Sequence, residues 1–492
     1  MTPAEHRDLD GIRAELAQEC RRLVLAGRPH EPAGSAPFWV SAPGHPATQW
    51  TCAQAGPQEA RLALDAAWKC FPSWSAQPVT TRAALVRRLA DRIDGGADRY
   101  ATAIAVEAGK SMAEARRETA FAVTTLQALA DAAERMAPAE GERRAPSVTV
   151  RRRPVGPVLA ITPWNFPLSL AARKVASALL AGCPVILKPS ERTPVSALLL
   201  GRDLDTAGAP AGTVSVLPTT RSAELVAALT ADPRLRKMSF TGSTTVGRSV
   251  LHATEGQLQR ISLELGGNAP FVVCPRHDAG ATADGLLAAK TANNGQACTA
   301  PNRLLLPPDA GDLTALLAER FENIRTGWSL DEESPLLGPL ISAQAAARID
   351  GLVADAKARG ARVVRSRAEL PEQGHFVRPA LVLGAEPHWP IAREEIFGPV
   401  LPVLTYRDLP EAIRIANDTE YGLAGYVYGT APGETAAVAA GLDTGLIAVN
   451  HPSVSHPAAP FGGTKHSGYG RENAAEGLSE YLSVVSIIGE PV

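Results

Sequence analysis

The 492-residue sequence lacks a strong excess of charge of either sign. Its 49 Lys and Arg residues nearly balance 51 Asp and Glu residues, which gives a formal net charge of −2. Binding to nucleic acid or to an acidic membrane surface through general electrostatics needs a basic excess. We therefore expect neither nucleic acid nor a membrane as a partner. The short basic run Arg151–Arg153 is more typical of a solvated strand edge than of a binding patch.

Long apolar runs and a signal-peptide core are also lacking. No window approaches the length of apolar sequence that a transmembrane helix needs, and the residues from Met1 onward contain no apolar signal core. The cysteines show neither close pairing nor metal-ligand spacing. They are Cys20, Cys52, Cys70, Cys183, Cys274 and Cys298. We predict no metal site, and a cytoplasmic location whose reducing environment keeps thiols free.

The overall amino-acid composition is typical of a globular protein. Hydrophobic residues make up 45% and charged residues 20% of a chain long enough for more than one domain. Between residues 58 and 136 apolar side chains recur at helical spacing, as in Leu85, Leu89 and Ile93. Residues 1–58 carry no motif with an assignable role. Within them, the pattern of Leu9–Leu25 predicts a helix.

From Pro157 onward, short apolar runs alternate with helical patterns. The predicted strands are Val158–Ile161, Val185–Lys188, Val214–Leu217 and Lys237–Phe240. Strand–helix alternation indicates parallel strands with helices on both faces, a Rossmann-like doubly wound sheet that binds ligands beyond the carboxyl ends of its strands. A second alternating region runs from about Glu264 to Val449, with predicted helices over Leu313–Ile324 and Ala343–Ala358.

One cysteine follows a polar, glycine-containing turn that runs from Asn293 to Cys298 and would present its thiol on a loop tip. Thirty-four positions upstream lies Glu264, followed by Gly266 and Gly267. A cysteine nucleophile needs a group that removes its proton, and a thioester formed on it needs an activated water. A glutamate near the thiol would supply both. A lone cysteine is more often an inert buried residue, but further motifs agree with the active role.

These motifs occur in the order seen in the aldehyde dehydrogenase superfamily. They are Ile161–Pro167, Lys188–Glu191, Phe240–Gly247, the Glu264 segment, the Cys298 segment, Glu395–Pro399 and Pro460–Gly463. The sequence resembles that superfamily from about Ala60 to Tyr481. The resemblance implies an α/β fold with a Rossmann-like NAD-binding domain, an α/β catalytic domain and a small oligomerisation element.

The same resemblance sets the expected domain boundaries. We predict an NAD-binding domain from residues 1–127 and 146–263, a catalytic domain from 264–449, and an oligomerisation element from 128–145 and 470–492. The hydrophobic run Ser479–Ile488 is, on its pattern alone, an ordinary edge strand. The resemblance implies that it pairs with another subunit in a homodimer or homotetramer.

The resemblance assigns catalysis to Cys298, Glu264 and Asn165. The Cys298 thiolate would attack the aldehyde carbon to give a thiohemiacetal, whose oxyanion the Cys298 N–H and the Asn165 amide would stabilise. A bare asparagine could instead cap the following helix, but the position of Asn165 within the motif Pro163–Pro167 disfavours that interpretation. After hydride transfer to nicotinamide, water activated by Glu264 would hydrolyse the thioester. Relatives that pass the acyl group to coenzyme A generally lack this glutamate, so its presence favours release of the free acid.

The resemblance also implies a set of cofactor-binding residues. They are Ile161, Trp164, Lys188, Glu191, Gly242, Ser243, Gly247, Leu265, Glu395 and Phe397. The two glycines after the strand at Phe240 resemble the family's turn at which a helix N-terminus faces the pyrophosphate. Glu191 would accept hydrogen bonds from ribose hydroxyls and repel a 2′-phosphate, which favours NAD while leaving NADP possible. Thr219 departs from the pattern, since relatives usually carry glycine there.

The segment Val449–Glu472 looks most like the succinate-semialdehyde branch, which anchors the distal carboxylate of its substrate with two arginines and a serine. Arg173 matches the first arginine and Ser455 the serine, and we count Phe461 with them as a substrate residue. The second arginine, six residues before the nucleophile, is replaced by Ala292. A two-arginine clamp would therefore be half missing.

Three functions remain open on this basis. The first is oxidation of a semialdehyde-like substrate, with Arg303 or a nearby histidine assisting Arg173. The second is oxidation of a neutral or aromatic aldehyde by the same mechanism. The third is a non-catalytic structural relative, which the presence of all three catalytic residues disfavours. We predict the first.

Overall fold

The computed structural model describes residues 9–136, 142–145, 147–328, 330 and 337–489. Its helices are α1 (Leu9–Cys20), α2 (Pro57–Ser75), α3 (Val79–Gly95), α4 (Ala97–Ala108), α5 (Met112–Arg135), α6 (Ser169–Ala181), α7 (Val195–Thr206), α8 (Ser222–Thr230), α9 (Thr244–Ala253), α10 (Ala279–Thr291), α11 (Gly311–Glu322), α12 (Ala343–Ala358), α13 (Pro390–Arg393), α14 (Leu409–Asn417), α15 (Pro432–Gly441) and α16 (Ala474–Ser479). Short 3₁₀ helices cover Glu255–Gln257 and Ala292–Gly295.

The strands are β1 (Leu23–Leu25), β2 (Arg28–His30), β3 (Phe38–Ala42), β4 (His45–Cys52), β5 (Glu142–Ala145), β6 (Val148–Pro154), β7 (Val158–Ile161), β8 (Val185–Lys188), β9 (Val214–Val216), β10 (Lys237–Thr241), β11 (Arg260–Glu264), β12 (Pro270–Val273), β13 (Arg303–Leu306), β14 (Arg362–Arg365), β15 (Ala380–Leu383), β16 (Val400–Thr405), β17 (Tyr421–Gly422), β18 (Ala424–Tyr428), β19 (Leu446–Val449), β20 (Thr464–Lys465), β21 (Gly468–Tyr469) and β22 (Leu482–Ile488).

The larger of the two main sheets has its strands in the order β2-β1-β9-β8-β7-β10-β11-β21. The five strands from β9 to β11 are mutually parallel, and β1 and β21 join them antiparallel. Every residue of β7, β8 and β9 is buried, as expected for a parallel sheet with helices on both faces. The predicted Rossmann-like parallel sheet is confirmed.

The second main sheet has the order β14-β15-β16-β13-β12-β18-β19, and β14 is its one antiparallel member. The helix predicted over Ala343–Ala358 is confirmed as α12. The helix predicted over Leu313–Ile324 is α11, which begins two residues earlier, at Gly311, and ends at Glu322.

The parallel pairing brings several of the motifs to one edge of the first sheet. β7 ends at Ile161 beside Lys188 of β8, and β10 ends at Thr241 beside Glu264 of β11. Because the carboxyl ends of parallel strands meet at the same edge, the polar residues that follow each strand lie close together. The candidate site is built there.

A three-stranded antiparallel sheet contains the last strand, in the order β22-β6-β5. β6, which the predicted boundary at residue 146 assigns to the NAD-binding domain, pairs in this sheet along its whole length with β22. Arg152 and Arg153 are exposed on β6, as expected of the basic run, but β6 is the central strand and not an edge. The domain boundaries stay a prediction.

The helix predicted from Leu9 to Leu25 is too long. α1 ends at Cys20, and the three residues from Leu23 form β1, in which Val24 is buried against Val216 of β9. Sheet pairing here overrides the local helical spacing. The helix predicted around Leu85 is confirmed as α3. None of the described helices is both long and apolar enough to cross a lipid bilayer.

Candidate active site

A cavity of about 760 Å³ opens at the carboxyl edge of the first sheet. Most of the predicted site residues line it, namely Cys298, Glu264, Asn165, Trp164, Gly242, Ser243, Leu265, Glu395, Phe397, Arg173, Ser455 and Phe461. The other predicted residues, Ile161, Lys188, Glu191 and Gly247, lie outside its wall. One concave site therefore joins the predicted nucleophile, base and substrate residues to part of the predicted cofactor set.

The turn before Cys298 is held in a fixed shape. Asn293, Asn294 and Gly295 have φ angles of 51°, 58° and 74°, in the left-handed region that asparagine and glycine tolerate best. The Asn293 amide also donates to the backbone carbonyl of Asn165 at 2.9 Å. The three turn residues are buried, whereas Cys298, which follows them in a loop, is partly exposed and lines the cavity with Ala297, in agreement with a thiol presented at a loop tip.

The environment of Cys298 favours the neutral thiol. Burial is the main cause that raises the pKa of this thiol, the carboxylates of Glu395 and Glu264 also raise it and Arg173 lowers it, and together they give a pKa of about 12. A thiolate is the reactive form of cysteine, so a base must take the proton as the reaction begins.

Glu264 lines the same cavity as Cys298. Its side chain is buried, and neither carboxylate oxygen has a hydrogen-bond partner among the described residues. Burial raises the pKa of Glu264 well above its usual value, and the nearby Glu472 raises it further. A Cβ on Gly267 would collide with the Cys298 carbonyl oxygen, so glycine lets the chain after β11 approach the nucleophile loop closely.

Asn165 follows β7 and joins the nucleophile loop directly. Its Nδ2 donates to the backbone carbonyl of Gln296 at 3.0 Å. An amide nitrogen carries two hydrogens, so this bond leaves one for an oxyanion in the cavity. The amide oxygen is buried without a partner in the described part of the chain.

A buried charge cluster forms the wall next to Glu264. On α6, Arg173 Nη1 lies 3.0 Å from Glu472 Oε2, and Lys174 Nζ donates to Glu472 Oε1 and to Ser239 Oγ, the latter at 2.9 Å. Burial alone would raise the pKa of Glu472, but Lys174 and Arg173 hold it below its usual value. Lys174 and Arg173 also interact with the Glu264 carboxyl group, so the cluster joins two cationic side chains to two carboxyl groups.

Part of the Arg173 guanidinium is not used by the protein. Its Nε is buried and has no hydrogen-bond partner among the described residues. The ring of Phe461 lies under the guanidinium, with Cζ 4.9 Å from the ring centre, and Phe461 in turn pairs through its backbone with Glu472. A buried donor without a partner suits an anionic ligand.

Sequence reasoning missed Lys174 and Glu472. Lys174 follows Arg173 directly, but the sequence of a helical Arg-Lys pair does not indicate which of the two side chains pairs with a buried carboxylate. Glu472 lies almost three hundred residues away, beyond the reach of any local pattern.

The N-terminus of α9 meets the cavity at Ser243. The Ser243 hydroxyl caps the helix by accepting the Val246 N–H at 3.3 Å. A Cβ on Gly247 would lie 2.5 Å from Leu265, so glycine allows α9 to pack against the chain leaving β11. The turn therefore offers backbone N–H groups to an anion such as a pyrophosphate.

The residues outside the wall lie at the same edge. Lys188, the last residue of β8, is buried, which lowers its pKa, and its Nζ lies 3.7 Å from a Glu191 carboxylate oxygen. The Glu191 side chain itself is 41% exposed, so its carboxylate remains accessible to a ligand.

Glu395 reaches the cavity from the segment before β16. It accepts the Gly267 N–H at 3.0 Å, and burial raises its pKa to about 7. Two residues later, Phe397 has a φ of 56°, uncommon for an aromatic residue, and its ring meets Trp164 edge to face at 5.5 Å.

The expected assistance to Arg173 is absent. Arg303 is buried and donates to the backbone carbonyls of Ile415, Asn268 and Ala416 at 2.8–2.9 Å, so it links the end of α14 to the loop before β12 and does not line the cavity. Within the described residues no histidine lines the cavity. The expectation that Arg303 or a histidine completes the clamp was wrong.

The unusual Thr219 forms a turn of its own. Its buried hydroxyl accepts the Arg221 N–H at 3.0 Å, a local bond that a glycine could not make. Ala292, in contrast, lines the cavity and opens it, since alanine is far smaller than arginine.

Comparison with known proteins places these features in context. The model of the aldehyde dehydrogenase family matches residues 31–487. The succinate-semialdehyde dehydrogenase of Paenarthrobacter nicotinovorans is 38% identical over 90% of this chain and 99% of its own length, and the NADP(+) succinate-semialdehyde dehydrogenase GabD of Escherichia coli is 37% identical over 87% and 89%. The betaine aldehyde dehydrogenase of Staphylococcus aureus, solved in complex with NAD+, superposes with a TM-score of 0.92 at 29% identity, covering 98% of this chain and 97% of that one.

Proposed function

The chain belongs to the aldehyde dehydrogenase family and is an oxidoreductase that converts an aldehyde to the carboxylic acid, and we propose that its substrate is a semialdehyde acid, which carries a carboxylate at its far end. The observation that carries this proposal is the buried Arg173 guanidinium in the cavity wall, which pairs with Glu472 through Nη1. The unpartnered Arg173 Nε adds a buried donor. An anionic substrate would satisfy that donor. Several similar proteins are named as semialdehyde dehydrogenases, which agrees with this proposal.

In this proposal Glu264 takes the proton from Cys298, and the sulfur bonds to the aldehyde carbon to give a thiohemiacetal. The Cys298 N–H and the free hydrogen of the Asn165 amide stabilise the oxyanion. When bound, a nicotinamide dinucleotide supplies the acceptor for the hydride. Glu264 then releases that proton to solvent and deprotonates a water molecule, which attacks the thioester that remains on Cys298. The C–S bond breaks, the sulfur leaves as the thiolate, and the acid is released.

The cofactor would lie along the edge of the first sheet. The capped N-terminus of α9 at Ser243 suits a pyrophosphate, and Lys188 with Glu191 suits ribose hydroxyls. We propose NAD as the preferred cofactor, because the accessible Glu191 carboxylate would repel a 2′-phosphate. The first main sheet with its helices would then be the NAD-binding domain, and the second the catalytic domain, where Glu395 would meet the nicotinamide end.

A homodimer or homotetramer is also proposed. Val484 and Ile488 of β22 are 66% and 80% exposed, although both are large and apolar. Exposed apolar side chains on a strand are a liability unless another chain covers them. Pairing of β22 with a sheet of a second subunit would cover them. All six cysteines are free, which suits a reducing compartment.

The test compares aldehydes of equal length with and without the distal carboxylate. Succinate semialdehyde and glutarate semialdehyde are set against butanal and pentanal, with formation of reduced cofactor as the readout and NAD and NADP in parallel. Higher kcat/KM for both semialdehydes supports the proposal. Equal values, or turnover of neutral and aromatic aldehydes only, would refute it and show that Ala292 marks a changed pocket. The Cys298→Ala variant should be silent with every aldehyde.

A further inference from the structure

One face of α5 forms part of the cavity wall. Glu114, Arg117, Glu118 and Phe121 line the cavity at positions i, i+3, i+4 and i+7 of the helix, so they share one side of it. Arg117 is the cation of this group. Neither its spacing nor any motif singled it out in the sequence.

The two carboxylates on this face are already engaged by the protein. Glu118 is buried and accepts from Lys110 Nζ at 2.6 Å and from two backbone N–H groups at 3.0 and 3.1 Å. Glu114 accepts the backbone N–H of Asn293 at 3.2 Å through one oxygen and Arg117 through the other. The Glu114 charge is thereby shared between Arg117 and the nucleophile loop.

These contacts place Arg117 beside position 292. Glu114 bridges Arg117 to Asn293, which directly follows Ala292, and both Arg117 and Ala292 line the same cavity. The Arg117 side chain is 70% exposed, and among the described residues its guanidinium is hydrogen-bonded only through Nη2. The guanidinium carries five N–H donors, so several remain for a ligand.

We propose that Arg117 binds the distal carboxylate of the substrate at the cavity mouth and so replaces, from another helix, the arginine that Ala292 lacks. The substrate anion would be recognised by Arg117 in solvent and by Arg173 in the buried wall. A planar guanidinium suits a carboxylate because it donates two parallel N–H groups. This inference rests on the proposed semialdehyde function and names the residue that determines its specificity.

The test is the Arg117→Gln variant, with Arg116→Gln as its matched control. Arg116 lies on the same helix and pairs with Asp98, outside the cavity wall, so the charge change is identical. For Arg117→Gln we expect kcat/KM for succinate and glutarate semialdehyde to fall about tenfold, the size of one charge-assisted hydrogen bond, through KM and not kcat. Butanal and pentanal should be turned over as by the wild type, and Arg116→Gln should change neither class.

A second variant, which returns an arginine to the cavity wall at position 292, tests whether the loss is due to the missing guanidinium. Adding Ala292→Arg to Arg117→Gln should recover the preference for the carboxylate, since a guanidinium returns to the same wall. An equal loss with neutral and anionic aldehydes would mean that Arg117 acts only through its contact with Glu114, and would overturn the inference. A wild type without preference for semialdehydes would refute the proposed function itself. A wild type with the preference, unchanged in Arg117→Gln, would refute only the role of Arg117.

Discussion

In the cofactor-free enzyme, Cys298 should be alkylated by iodoacetamide much more slowly than an ordinary thiol. Burial, with Glu395 and Glu264, raises its pKa to about 12, and only the thiolate reacts. The other five cysteines are buried, so the label reports on one residue. The reaction rate should still be rising with pH well above neutrality, because the thiol has not yet titrated.

The expected size follows from the raised pKa. Relative to a thiol with a pKa of 9.0, a pKa of about 12 lowers the thiolate fraction at about pH 8 by roughly 1,000-fold. A more basic thiolate is also a stronger nucleophile. With a Brønsted slope of about 0.45, a rise of three pKa units makes the thiolate itself roughly 20-fold more reactive. The net prediction is alkylation about 50-fold slower than that of the free thiol.

The assay is timed alkylation followed by mass spectrometry across a pH series, with Cys298→Ala as the unlabelled control. Glu395→Gln should speed labelling at about pH 8, because the Glu395 pKa of about 7 leaves it charged there and its charge disfavours the thiolate. Arg173→Gln should slow it, because Arg173 favours the thiolate. A rate constant that is already independent of pH near neutrality would show a resting thiolate and refute the reasoning.

Three further predictions follow from single carboxylates. Glu264→Gln should slow turnover by about 10²–10⁴-fold, the usual contribution of a general base, and unchanged steady-state kinetics would exclude Glu264 from that role. Glu191→Ser should raise the ratio of kcat/KM for NADP to that for NAD about tenfold, because a like charge no longer faces the 2′-phosphate; a constant ratio would contradict our cofactor assignment. Glu472→Gln should destabilise the protein by about 3–5 kcal/mol in urea unfolding, since Lys174 and Arg173 lose their buried partner. Because the pKa of Glu472 is lowered in the folded protein, its carboxylate stabilises the fold at neutral pH, and this stabilisation is lost as the pH falls through that lowered pKa. The unfolding free energies of wild type and variant should therefore converge in acid.

The first main sheet could be predicted because its signals are local. Short, wholly apolar runs such as Val158–Ile161 and Val185–Lys188 mark buried parallel strands, and the helical spacing between them marks the crossovers. The carboxyl-edge position of the site followed from that topology. The helix predicted to Leu25 failed because Leu23–Leu25 pairs with the adjacent strand β2 and, at Val24, with Val216 of β9, which is distant in sequence.

The wall of the cavity could not be predicted in the same way. Arg303 carries the same charge as Arg117, yet it is buried and donates to three backbone carbonyls through its two terminal nitrogens, while Arg117 lies exposed at the cavity. Composition and spacing do not distinguish a structural guanidinium from one that faces a ligand. Only the packing of α5 against the nucleophile loop does so.

The amino-acid sequence by itself determined which reactive groups the chain contains and where in the sheet topology they fall, since Cys298, Glu264 and Asn165 belong to motifs whose order can be read directly. The tertiary structure decided the state of those groups. It buries Cys298 and Glu264, which raises the pKa of both, and it brings Glu472 to Arg173 from the far end of the chain. The physical reason is that charge and pKa depend on burial and on neighbours in space, which no local pattern records.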